Sequence, residues 1–175
     1  YLQGKHIAPY QIIFKSVYIN FIPELLHSNT DQFVYEQKEK ILVRKTGNIL
    51  MASLDSEQYY TDQSLYNLYL KPNKWYCNKV LLAILNSKLL NYYYNKKLIT
   101  NADVFPYIKG VHLKMFPLPH LRDRIESELS NLVDSIIQHK KQNIDTSVIC
   151  NKIDALVYQL YGLTDAEIKI IEQSI

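Results

Sequence analysis

The sequence predicts an α+β fold: a mixed αβ body with short β-hairpins and one core helix, followed by an antiparallel helical pair and a short terminal helix. Three observations carry this. Tyrosine-rich and β-branched segments broken by turn residues fill roughly the first 70 positions. One leucine-rich run covers residues 80–97. Beyond Pro119 the apolar residues recur at helical spacing.

The elements follow in order. Residues 10–22 are strand-like with a poor period, bounded by Pro9 and Pro23. Residues 40–54 read as a hairpin: Ile41-Leu-Val43 as a buried run, Thr46-Gly-Asn48 as the turn, Ile49-Leu-Met-Ala52 as the return. A second extended pair is expected at Tyr59-Tyr60 and residues 65–70, where side chains alternate. Residues 80–97 predict one helix with Leu81, Leu82, Ile84, Leu85, Leu89 and Leu90 on its apolar face and Asn78 as N-cap. Pro106, Pro117 and Pro119 predict an extended segment over 105–119. Leu121, Ile125, Leu129, Leu132 and Ile136 predict a helix of five turns or more. Ile149, Ile153, Leu156, Val157 and Leu160 predict a second, ended by Gly162. Thr164-Asp-Ala-Glu167 has capping-box spacing and opens the last helix. The expected division is a body over 1–119 and a helical segment over 120–175 that packs on it.

Composition narrows the class. With 47% hydrophobic and 21% charged residues, the chain of 175 residues is one that buries a core. No apolar run reaches the roughly 20 residues that span a bilayer, so no membrane partner is expected. The start carries neither an initiator Met nor a signal-like apolar stretch, so the chain reads as a segment of a longer protein. Cys77 and Cys150 form no C-x-x-C pair and are expected to be reduced thiols in a cytoplasmic protein. The net charge of +3 is unevenly spread: residues 71–114 hold eight lysines against Asp103 alone, giving +7 there and −4 elsewhere. Such a block fits either a polyanion-facing surface or a solvated lysine face.

Catalytic machinery is missing by the same reading. The four glycines, Gly4, Gly47, Gly110 and Gly162, are too dispersed for a cofactor loop. No prolines are adjacent, so the Asn/Asp-Pro-Pro-Tyr element of amino-methylases is absent. Asp55 with Glu57 fits a turn, and Glu126 with Glu128 a solvated helix face. No catalytic, cofactor or metal residue is expected.

The candidate residues are those suited to DNA. Arg44, Lys45, Thr46, Gly47 and Asn48 place two cations, a hydroxyl and an amide at a hairpin tip, and a hairpin fits a major groove. Gly47 would let the backbone approach a phosphate. Tyr60, Thr61, Gln63 and Ser64 offer short hydrogen-bonding groups, and Asn101, Tyr107, Lys109 and Lys114 would complete a basic surface. Most of the 15 tyrosines, Tyr92-Tyr-Tyr94 among them, read as packing residues. His112 reads as a half-exposed structural residue.

Taken in order, Lys40-Ile-Leu-Val-Arg-Lys-Thr-Gly47, Tyr59-Tyr-Thr-Asp-Gln-Ser-Leu-Tyr66, Leu85-Asn-Ser-Lys88, Phe105-Pro-Tyr-Ile-Lys109 and Leu113-Lys-Met-Phe-Pro-Leu-Pro119 resemble the TaqI-like C-terminal specificity domain of adenine-N6 DNA methyltransferases. The same module occurs in fused restriction–modification enzymes of the Eco57I kind. The ending Ile153-Asp-Ala-Leu-Val-Tyr-Gln-Leu-Tyr-Gly-Leu-Thr-Asp-Ala-Glu167 is similar to the tails of such proteins, so the resemblance covers about residues 35–167. It implies a non-catalytic target-recognition domain whose partners are double-stranded DNA and an upstream methyltransferase domain of the same chain, where S-adenosylmethionine would bind. It transfers no base contacts, because those residues change with the target. Two alternatives stay open at this point. One is the recognition half of a type I specificity subunit. The other is a helical protein-interaction module, with the 121–137 stripe as an oligomer interface.

Overall fold

The computed structural model describes residues 1–28, 30–71, 76–100, 104–119 and 123–174. Strands β1 (Ile7–Ala8) and β2 (Gln11–Ile12) form a short antiparallel hairpin through a turn in which Tyr10 takes φ 61°. Of the strand-like stretch 10–22, only Gln11–Ile12 is therefore strand. Pro9 sits inside the hairpin, and Lys15–Asn20 are exposed with no ladder to join. One turn of helix, α1 (Gln32–Tyr35), is capped by Asp31, whose carboxylate accepts the Phe33 N–H at 3.1 Å.

The main sheet has three antiparallel strands, β3 (Lys40–Arg44), β4 (Ala52–Asp55) and β5 (Leu65–Leu68), in the order β4-β3-β5. β3 is central and almost wholly buried, matching its apolar run. Two expectations are corrected here. The return strand is residues 52–55, not 49–52, with Val43 opposite Ala52. Outside contacts hold the intervening loop open: the Asn91 side chain accepts the Leu50 N–H at 2.7 Å, and Pro106 accepts the Gly47 N–H at 2.8 Å. The second correction is that β5 pairs with β3 and not with Tyr59-Tyr60.

The single helix expected over 80–97 is two helices and a π turn: α2 (Asn78–Asn86), α3 (Lys88–Tyr93) and Tyr94–Leu98. Ser87 breaks it. Its hydroxyl donates back to the Ile84 carbonyl at 2.7 Å and accepts the Leu90 N–H at 3.2 Å, with the backbone extended at ψ 154°. A serine that bonds locally competes with the helix ladder and favours a cap. Cys77, not Asn78, stands at the N-cap of α2, without a side-chain cap. Asn86 grips both backbone groups of Ala52, accepting its N–H at 2.9 Å and donating to its carbonyl at 3.0 Å. The Leu85-Asn-Ser-Lys88 motif is thus a structural joint between helices and sheet.

Residues 105–119 are not extended throughout. One helical turn, α4 (Gly110–Leu113), forms in the stretch free of proline between Pro106 and Pro117. The C-terminal helices are α5 (Asp123–Lys141), α6 (Ser147–Tyr161) and α7 (Asp165–Glu172). Leu121, expected on the first stripe, lies outside the described residues. Gly162 ends α6 in the left-handed conformation, and Thr164 with Glu167 forms the capping box of α7.

Packing joins these parts. α2 lies against β3, β4 and α5, while α3 lies against α6 and α7. Leu129, Val133 and Ile136 of α5 and Ile153 and Val157 of α6 share one buried core with Ile41, Val43, Val80 and Leu85. The described residues of the stripe considered as an oligomer interface therefore pack on the chain's own core. No helix among the described residues is long and apolar enough to cross a membrane.

Candidate nucleic-acid interface

Lys45 is the junction of the polar segments. It follows the end of β3 at a bend, and its backbone bonds to two segments distant in sequence. Its N–H donates to the Ser64 carbonyl at 3.0 Å, and its carbonyl accepts the Ile108 N–H at 2.9 Å. Thr46 then bridges Tyr107, which is bridged on its other side by Thr100 through two hydrogen bonds of 3.1 Å. Segments 44–48, 60–64 and 105–109, distant in sequence, so meet at one end of the sheet.

Gly47 is fixed within this patch. Its φ of 126° suits glycine, its N–H goes to Pro106, and its carbonyl accepts the Tyr94 hydroxyl at 2.8 Å. The Gly47 N–H is therefore taken within the fold. Burial pushes the Tyr94 hydroxyl up to about 12, so it donates at any ordinary pH. Tyr94 is therefore a support for the loop, matching its reading as a packing residue.

The Tyr60–Ser64 element divides between framework and surface. Tyr60 packs on Phe21 and Tyr35 with ring centroids 4.5 Å away in each case. Thr61 is 4% exposed, and its hydroxyl accepts from Asn67 at 2.8 Å. The Ser64 hydroxyl accepts the Gly4 N–H at 2.7 Å and donates to the Asp62 carboxylate, so it is committed locally. Thr61 is thus part of the interior. Gln63 is exposed.

On the hairpin, Arg44 folds back: its Nη1 points to Met51 Sδ at 3.7 Å, and its Cγ lies where a side chain on Gly4 would come. Thr46 and Tyr107 are half-buried, whereas Asn48, Lys109 and Lys114 are exposed. Lys45 is half-buried with its ammonium 4.4 Å from the Tyr66 ring centroid. Burial lowers its pKa, and Asp62 partly offsets this. Asn101 lies outside the described residues. Tyr66, Asn91 and Tyr94 are the supports that the sequence reading did not attach to the site. For Tyr66 the signals were its place in the alternation over residues 65–70 and at the end of the Tyr59–Tyr66 motif.

The basic block also divides. Lys79 pairs with Asp134 at 2.7 Å and Lys88 with Glu172 at 2.7 Å, so the C-terminal helices neutralise both. Lys96 and Lys97 in the π turn, together with Lys109 and Lys114, are exposed and pair with no acid among the described residues. The π turn leads directly into Thr100 and its bridge to Tyr107, and Lys109 follows that bridge by two residues. The arrangement can hold a polyanion with exposed ammonium groups and present amides and a partly desolvated lysine beside it.

The chain has relatives among known proteins. The chain is 30% identical over 152 residues to a Methanocaldococcus jannaschii protein assigned as a type II restriction enzyme and methyltransferase, RM.MjaORFECS2P. That match takes in 81% of this chain but only 13% of the relative's length. The family match begins at residue 1 and ends at residue 118, so the first 35 residues lie inside it and α5–α7 beyond it, which shifts the 35–167 span of the resemblance. Through residues 1–118, the chain belongs to the TaqI-like C-terminal specificity domain family.

Proposed function

We propose that this chain reads a DNA target for an adenine-N6 methyltransferase or a fused restriction–modification enzyme. Chemistry and S-adenosylmethionine would reside in an upstream domain of the same cytoplasmic protein, which would flip the adenine out of the stack. The observation that carries the reading is the convergence of three polar segments on the Lys45 backbone, bonded to Ser64 on one side and Ile108 on the other. Around that junction Lys45, Asn48 and Gln63 are the side chains for base edges. Lys96, Lys97, Lys109 and Lys114 are those for phosphates. Arg44, Thr61, Ser64 and Tyr60 serve as framework, and the Gly47 and Tyr107 backbones as scaffold.

The test is duplex binding by the full-length protein across a salt series. Lys109→Ala with Lys114→Ala is expected to weaken all sequences alike and to lower the log–log salt slope by about 2. Lys45→Ala or Gln63→Ala is expected to relax preference at one position, by about 1–3 kcal/mol. No duplex affinity at low salt, or a salt slope unmoved by the paired lysine variant, would overturn the reading.

A further inference from the structure

We infer that Tyr66 is a positioning residue that aims the Lys45 ammonium, so that the pair sets selectivity at one base pair. This rests on the reading of Lys45 as a base contact. The geometry forms a closed circuit. The Lys45 carbonyl accepts the Ile108 N–H at 2.9 Å, the Ile108 carbonyl accepts the Tyr66 hydroxyl at 3.3 Å, and the Tyr66 ring carries the Lys45 ammonium 4.4 Å from its centroid. Gly110 closes the space beside the ring, since a Cβ there would lie 3.4 Å from Tyr66 Cε1. The ring is thus located by β5, by the 105–109 segment and by α4 together.

A lysine stem has many rotamers, and a free ammonium at the tip of a loop would sample most of them. An aromatic face attracts a cation within about 6 Å of its centroid and selects a subset of those rotamers. Holding the group near its bound position before DNA arrives reduces the ordering cost on contact. It also restricts which base edge the ammonium can reach. Burial that lowers the Lys45 pKa agrees with an ammonium held against the protein and not swung into solvent.

The experiment selects bound duplexes from a randomised pool with the full-length protein and its Lys45→Ala, Tyr66→Leu and Tyr66→Phe variants. Lys45→Ala is expected to relax preference at one position. Tyr66→Leu should relax the same position about two- to fivefold, the weight of an exposed cation–π contact, and Tyr66→Phe, which keeps the ring, should retain it. A second measurement needs no folded variant at position 66. In the wild-type protein with 13C-methylated lysines, the resonance absent from Lys45→Ala should be displaced upfield by the ring current. If Lys45→Ala relaxes a position that Tyr66→Leu leaves unchanged, or if that resonance is undisplaced, the inference fails while the DNA reading stands. If Lys45→Ala itself changes nothing, the base contact and the inference fail together, and salt-dependent binding still tests the domain's role.

Discussion

Lys40 Nζ lies 2.6 Å from Asp55 Oδ2, and neither side chain has any exposed surface. The two residues face each other across the end of the β3–β4 ladder. Asp55 also accepts the Glu57 N–H at 2.9 Å and the Tyr59 N–H at 3.0 Å, which start the chain toward the 60–64 element. For Lys40 the contact is ionic and not a well-directed hydrogen bond. Lys40→Met would leave a buried carboxylate without its counter-charge, a loss of about 3–5 kcal/mol. Adding Asp55→Asn, which keeps an acceptor for the two N–H groups, should recover part of it. Urea unfolding of the three proteins measures both changes.

Asp154 gives a pH dependence of defined sign. The side chain is buried and accepts the Lys88 N–H at 2.9 Å. Burial pushes its carboxyl from 3.8 up to about 6, against the pull of the Lys88 N–H and ammonium. The native state therefore binds this proton more tightly than the unfolded chain does. The stability that protonation supplies is complete below about 4 and gone above about 6. Asp154→Asn keeps an acceptor for Lys88 and is expected to exceed the wild type at pH 7 by on the order of 1–3 kcal/mol. The gap should close as the pH falls to about 4, as read by denaturant midpoints across that range.

Gly162 stops α6 at φ 66°, and an added Cβ there would meet nothing within 4 Å. Only the backbone term opposes a side chain at this position. Gly162→Ala should cost about 1 kcal/mol, measured by thermal unfolding, with duplex preference unchanged.

Neighbouring positions 61 and 63 should separate stability from selectivity. Thr61 binds Asn67 and Tyr35 within the fold, so Thr61→Ala is expected to lower stability by about 1–2 kcal/mol and leave base preference intact. Gln63 is exposed, so Gln63→Ala should leave stability within about 0.5 kcal/mol and change preference. Thermal unfolding and duplex selection on the two variants together check the division.

Local residue patterns determined the fold class, the buried β3 run, the C-terminal helices with the Gly162 stop and the Thr164 capping box, and the family. Each of these depends on spacing within one turn, one strand or one motif, where neighbours in sequence are neighbours in space. Only the tertiary structure decided that β5 pairs with β3, that the loop before β4 is held by Asn91 and Pro106, and that Lys79 and Lys88 are spent on α5 and α7. It also withdrew Thr61 into the interior and set Tyr66 beneath Lys45. The reason is common to all of these. A hydroxyl, an ammonium or an edge strand has the same local signature whether it faces solvent or a partner elsewhere in the chain, and only tertiary packing chooses between them.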